Sequence, residues 1–196
     1  MKSKNIRQIG ISGFITLILI IFDQLTKYLA VINLKDKQPF TILENIFELH
    51  YLENQSAAFG SDIVSILQRI FKIQYFYDNP DKFITFKMIV FAILTVIVVA
   101  LLIIAYLRIP TDRRYFWINI CIILFISGAI GNLIDRVFNH YVVDFFYFSL
   151  INFPIFNVAD IYVTVAAFLF IFLLLFYYKE EDFEKIFPSK KGKKKW

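Results

Sequence analysis

One cysteine and two histidines occur in 196 residues, with only six glycines and five prolines. A lone Cys121 excludes an intramolecular disulfide and a cysteine-based metal cage, and its place inside an apolar run makes packing its role. His50 and His140 lie on different segments, so neither a histidine metal site nor a Ser-His-Asp triad has support. His140 precedes Asp144 by one helical turn's spacing but reads as a solvated loop side chain. A glycine-rich phosphate loop is missing. Charged residues make up 19% of the chain against 59% hydrophobic, and the hydrophobic excess is concentrated in long runs. That excludes a soluble domain and indicates an integral membrane protein.

Four apolar runs have the length of a bilayer crossing, at residues 9–33, 84–107, 115–134 and 156–178. The first follows Lys2, Lys4 and Arg7, an opening shared with signal peptides. No small-x-small cleavage pattern comes after it, and apolar character resumes beyond Lys27, so a retained span is expected. Lys and Arg crowd the N-terminus, the turn at Arg108, Arg113 and Arg114, and the tail 179–196 with Lys191 and Lys193 to Lys195. Four spans put all three segments on one side, and the positive-inside rule makes that side cytoplasmic. The tail, in a chain of net charge +5, reads as a topology signal and an anionic-lipid contact. A nucleic-acid arm is disfavoured because no basic-aromatic face accompanies it.

Segments 34–83 and 135–155 are then extracytoplasmic parts of a single membrane domain, 1–196. In the first, Phe47, Leu49 and Tyr51 alternate with Glu48 and His50, which predicts a half-buried strand paired with Phe40 to Leu43 in a hairpin on the membrane surface. Ala57, Ala58 and Gly60 follow, small enough for another backbone to approach. Ile63, Ile66, Leu67, Ile70 and Ile73 fall at helical spacing, predicting a short interfacial helix before a turn at Asp78-Asn79-Pro80-Asp81. The fold class expected is an all-α membrane protein: four transmembrane helices, a small extracytoplasmic β-hairpin and a short interfacial helix.

Asp23, Asn54, Asn132, Asp135, Arg136, Asp144, Asn157 and Asp160 all converge on one membrane face by this topology. Ionisable groups at such depth are costly and mark a functional site by default. Two carboxylates brought together there share one proton, so that one serves as base toward water while the other polarises a carbonyl. Asp144, expected at the end of a turn, and Asp160, in the first turns of a helix, make the best pair. Asn157 stands one turn before Asp160, placed to cap the helix or to bond its carboxylate. Asp135 is followed by Arg136 and reads as a salt-bridged carboxylate that holds the turn. Asp23 and Lys27, at i and i+4, are either a snorkelling anchor pair or a support of the site. Gly128 and Gly131 favour close helix packing. A small ion- or proton-coupled transporter is the alternative, but it would want ionisable groups through the membrane depth, and none lies between Met88 and Leu107.

Five ordered motifs then resemble those of the bacterial lipoprotein signal peptidase (signal peptidase II) family. They are Asp23-Gln24-Leu25-Thr26-Lys27, Asn54-x-x-Ala57-Ala58-Phe59-Gly60, Gly131-Asn132-Leu133-Ile134-Asp135-Arg136, Val142-Val143-Asp144-Phe145, and Phe153-Pro154-x-Phe156-Asn157-x-Ala159-Asp160. The resemblance implies Asp144 and Asp160 as the catalytic dyad, with Asp23, Lys27, Asn54, Asn132, Asp135, Arg136 and Asn157 supporting it or the substrate. It implies removal of signal peptides from diacylglyceryl-modified prolipoproteins, just before the lipidated cysteine, on the outer side of the cytoplasmic (inner) membrane. It also implies no metal or organic cofactor and sensitivity to globomycin; contact with membrane lipids and a monomeric state are further expectations. Ser56 and Ser127 stand where that family usually has glycine, and residues 61–83 are longer than its usual link.

Overall fold

The computed structural model describes residues 4–56 and 63–186. Helix α1 (Ile6–Leu34) starts at Asn5, whose side chain accepts from Gln8 N while the Gln8 side chain accepts from Asn5 N, a reciprocal cap. Strands β1 (Phe40–Leu43) and β2 (Phe47–Asn54) follow, then two short helices, α2 (Ile63–Phe71) and α3 (Gln74–Asp78). Next come α4 (Pro80–Arg108), a 3-10 turn at Arg113–Tyr115, and α5 (Phe116–Phe138). Strand β3 (Val142–Tyr147), α6 (Val158–Phe172), its π-helical continuation Leu173–Tyr177 and α7 (Glu180–Ile186) complete the chain. Among the described residues four helical stretches are long and apolar enough to cross a membrane.

The bundle is polar inward and apolar outward, the reverse of a soluble one. On α1 the buried positions are Asp23, Lys27, Ala30 and Leu34, whereas Phe14, Leu17, Ile21 and Leu25 are exposed. A lipid solvent makes that arrangement stable, since helices in hydrocarbon gain nothing by hiding leucine and much by pairing polar groups. Helix α5 is the hub, packing against α1, α4 and α6. Two glycines set its approach to α6 and α1. A Cβ at Gly128 would lie 2.5 Å from the Ala159 carbonyl oxygen, and one at Gly131 would lie 2.6 Å from Asp23 Oδ2.

At the far end of the bundle, α7 folds back on the turn before α5. Asp182 accepts from Arg114 Nε at 2.7 Å and Nη2 at 2.6 Å, and the Arg114 bonds hold its carboxyl well below the usual carboxylate range. Ile186 joins Tyr106, Tyr115, Ile118 and Leu173 in the core there.

Several expectations are corrected. The expected hairpin of β1 and β2 is present, but β3 extends it to a three-stranded antiparallel sheet in the order β1-β2-β3, with Leu52 opposite Asp144 and Glu48 opposite Tyr147. Asp144 therefore lies inside a strand rather than at the end of a turn. Val142, Val143, Asp144 and Phe145 are all buried, so this strand carries no alternation to betray it. The third apolar helix continues to Phe138, which keeps Asp135 and Arg136 helical instead of in the loop that follows. The expected turn at Asp78 to Asp81 shrinks to Asn79, because Pro80 opens α4. The motif residues Ala57 to Gly60 lie outside the described residues.

Replacing Gly128 with Ala should cost about 1–3 kcal/mol, because the added methyl meets backbone rather than a movable side chain. Thermal unfolding of the detergent-solubilised protein should show a lowered Tm; an unchanged value would mean that α5 and α6 do not pack this closely.

Candidate active site

The site begins with a capping box. Asn157 is the N-cap of α6, its side-chain oxygen accepting from Asp160 N at 3.0 Å, while Asp160 Oδ2 accepts from Asn157 N at 3.1 Å. One local motif thus starts the helix and aims a carboxylate, so both roles expected for Asn157 are realised. Asp160 has its other oxygen on Asn132 Nδ2 at 2.8 Å. Asp144 arrives on β3 from the opposite direction. Its Oδ1 accepts from Asn157 Nδ2 at 2.6 Å and its Oδ2 from Asn54 Nδ2 at 2.7 Å.

Both aspartates, with Asn54, Asn132 and Arg136, line one cavity of about 520 Å³. Its remaining wall is largely apolar, supplied by Phe148, Ile151, Phe153, Ile155 and Val165 among others. Asp144 is buried, and its pKa is pushed up to about 7, first by loss of solvation and then by the charge of Asp160. The amides of Asn54 and Asn157 pull the other way, as does the more distant Lys27.

A charged layer lies behind the amides. Lys27 Nζ reaches Asp23 Oδ2 at 2.9 Å, Asp135 Oδ2 at 3.0 Å and Asn132 Oδ1 at 2.9 Å, which uses all three of its N–H donors. Because the ammonium can only donate, it turns the Asn132 oxygen toward itself and leaves Nδ2 facing Asp160. Asp23 Oδ1 accepts from Ala159 N at 2.8 Å, and Asp135 Oδ2 from Val143 N at 3.2 Å. The same ion cluster therefore anchors the start of α6 and the start of β3.

Asp23 and Lys27, 0% and 2% exposed, are not a snorkelling pair. The ion-pair partner of Asp135 is Lys27, not Arg136. Adjacent residues on a helix point about 100° apart, and Arg136 instead turns toward the cavity and the Phe91 ring. His140 is exposed in a left-handed turn and makes no bond to Asp144.

Gln24 is not among the expected site residues, yet its Nε2 donates to Gly131 O at 3.0 Å and approaches Asp135 Oδ1 at 3.4 Å. Its position between Asp23 and Lys27 was the available signal.

Residues 15–176 match the family model described as signal peptidase (SPase) II. The chain belongs to the signal peptidase II family. The lipoprotein signal peptidase of Streptococcus thermophilus (strain CNRZ 1066) is 39% identical over 166 residues, covering 85% of this chain and 91% of that protein. The enzyme of that name from Clostridium tetani is 38% identical over 174 residues, with 86% and 94% covered. A solved structure described as "Bacterial membrane enzyme structure by the in meso method at 2.3 A resolution" has TM-score 0.65 and 28% identity, covering 100% of this chain and 99% of that one. The chain is thus a multi-pass membrane protease of lipoprotein processing. Of the departures from the signal peptidase II motifs, Ser127 is accommodated on α5 by donating its hydroxyl to Ile123 O at 2.8 Å, and Ser56 N donates to Asn54 Oδ1 at 2.8 Å. Part of the longer link forms α2 and α3, with Val64 packed on Met88 and Phe91.

Lys27→Met would leave two buried carboxylates without their cation, at a cost of about 3–5 kcal/mol. Thermal unfolding in detergent should show a large fall in Tm; wild-type stability would mean that the ion cluster does not hold the helices together.

Proposed function

We propose that the chain is an intramembrane aspartyl endopeptidase in which Asp144 and Asp160 act as one pair on a single water molecule. The observation that supports this most directly is two carboxylates, each bonded by neutral amide donors, opening on the same largely apolar cavity. Asp144, with its pKa near 7, is the protonated member and donates to the scissile carbonyl oxygen. Asp160 takes a proton from water as the water oxygen attacks the carbonyl carbon. Collapse of the tetrahedral species breaks the C–N bond, the Asp160 proton passes to the departing amine, and Asp144 recovers its own. The scheme needs no metal or organic cofactor.

The substrate is a diacylglyceryl-modified prolipoprotein cut just before the lipidated cysteine, with its acyl chains against the apolar wall at Phe148, Ile151 and Phe153. Arg136 Nε is buried and has no hydrogen-bond partner among the described residues, which suits it to a substrate carbonyl. Asp23, Lys27, Asp135 and Asn132 act as positioning residues, and a globomycin-type cyclic peptide would compete for the cavity. The basic segments at Lys4 and Arg108 to Arg114 belong to the other end of the helices, which favours the extracytoplasmic side of the bacterial inner membrane for the site. The proposed working unit is a monomer.

Asp144→Asn and Asp160→Asn, made separately, should leave the protein folded and lower kcat for a lipidated precursor by about 10²–10⁴-fold. Full activity in either variant removes that residue from the chemistry. Ion flux through sealed vesicles, in place of peptide release, would favour the transporter reading.

The active form holds one proton on the pair. Activity should therefore fall as pH rises through about 7, where Asp144 loses its proton, and fall again in acid when both carboxylates are protonated. Initial rates across pH 4–9 test this; a rate still climbing above pH 8 contradicts the protonated role of Asp144.

A further inference from the structure

A second cavity, of about 240 Å³, lies between the start of α1, the end of α4 and the start of α5. At about 1.5 Å per residue its rim at Lys4 is about 28 Å from Asp23 and its floor at Ile15 about 12 Å, so the rim sits at the opposite membrane surface from the aspartate site. Its rim carries Lys4, Thr111, Arg113 and Asn119, and its floor carries Ile11, Ile15, Ile120 and Ile123. We propose that this cavity binds the phosphate of an anionic phospholipid, the acyl chains following the isoleucine floor into the bilayer.

The rim is built for an anion. Lys4 Nζ donates to Asn119 Oδ1 at 2.7 Å and to Ile109 O at 3.4 Å, and stands 3.9 Å from the Tyr106 ring centroid. Every one of these partners is neutral, so the ammonium is fixed in place with its charge uncompensated. Among the described residues neither Lys4 nor Arg113 makes an ion pair. Burial pulls the Lys4 pKa down to about 8, as befits a cation without a counter-anion. Asp112 is the one carboxylate in the lining, which leaves a net single positive charge at the rim.

The floor decides between lipid and free phosphate. Lys4 precedes the first turn of α1 and Arg113 opens the third apolar stretch, which puts both at headgroup height. A basic pocket between transmembrane helices above an apolar groove matches a lipid headgroup joined to its chains. A free anion would leave the isoleucines without a partner.

The test uses the full-length protein, delipidated in detergent and titrated with dihexanoyl phosphatidylglycerol, dihexanoyl phosphatidylcholine or inorganic phosphate, with binding read by native mass spectrometry. Phosphatidylglycerol should bind saturably and more tightly than the other two. Arg113→Gln and Lys4→Gln should each weaken it about fivefold, and Asp112→Asn should strengthen it by a similar factor. Arg7→Gln removes an exposed charge near the same surface but outside the cavity, and should change nothing. The Arg113 residue is exposed and its side chain makes no hydrogen bond or ion pair among the described residues, so its variant remains informative if Lys4→Gln misfolds. Inorganic phosphate binding as tightly as the lipid would overturn the lipid assignment. An Arg7→Gln loss equal to that of Arg113→Gln, or no gain from Asp112→Asn, would overturn the cavity. Peptide cleavage is not the readout, so the outcome is independent of the mechanism at the aspartates.

Discussion

A single ammonium holds the working end of this protein together. Lys27 sits 2% exposed between Asp23 and Asp135, with its third donor on Asn132. Burying three charges in a bundle within lipid is expensive, and the expense is offset only when every donor and acceptor is met. Here the carboxylates also accept backbone N–H groups, Asp23 from the first turn of α6 and Asp135 from β3. The cluster therefore does more than tie α1 to α5: it fixes the two elements that carry Asp160 and Asp144.

The Lys27 cluster and the cavity are kept in separate layers, although Arg136 itself lines the cavity. Neutral amides link the Lys27 cluster to the aspartates: Asn132 joins Lys27 to Asp160, and Asn157 joins Asn132 to Asp144, while Asn54 holds Asp144 from β2. An amide can steer a carboxylate without neutralising it, as an adjacent ammonium would. That separation lets Asp144 hold a pKa near 7 in a site that contains a buried lysine a few bonds away. The orientation of Asn132 is dictated by Lys27, so the charged layer acts on the neutral one through hydrogen-bond polarity.

The same lipid solvent explains the outer surface. Leucine, isoleucine and phenylalanine face outward along α1 and α4, and glycine stands where neighbours come close, Gly128 against the α6 backbone and Gly131 against the Asp23 carboxylate. The two ends of the bundle then diverge in character. One gathers acids and amides around a large cavity; the other gathers Lys4 and Arg113 around a small one and carries the Arg114–Asp182 pair beside it in sequence.

How much of this was legible in the chain depends on the range of the interaction concerned. The four apolar runs, the hairpin at Phe40 to Asn54 and the cap at Asn157 are local patterns of hydropathy, alternation and spacing, and each was read from the residues alone. So was the convergence of eight polar side chains at one end, since span count and charge bias suffice for it. Strand β3 was not legible: buried on both faces, Val142 to Phe145 lack the alternation that marks a strand, and only pairing with β2 reveals it. Adjacency suggests Arg136 as the ion-pair partner of Asp135, but neighbours on a helix do not face each other, and helix was not the expectation at 135–136. Lys27 lies more than a hundred residues away, and only the packing of α1 on α5 brings the two together. The sequence by itself determined which chemical groups meet the membrane surface; the tertiary structure decided which of them touch, because hydrogen bonds and ion pairs act over about 3 Å while hydropathy acts over a whole helix.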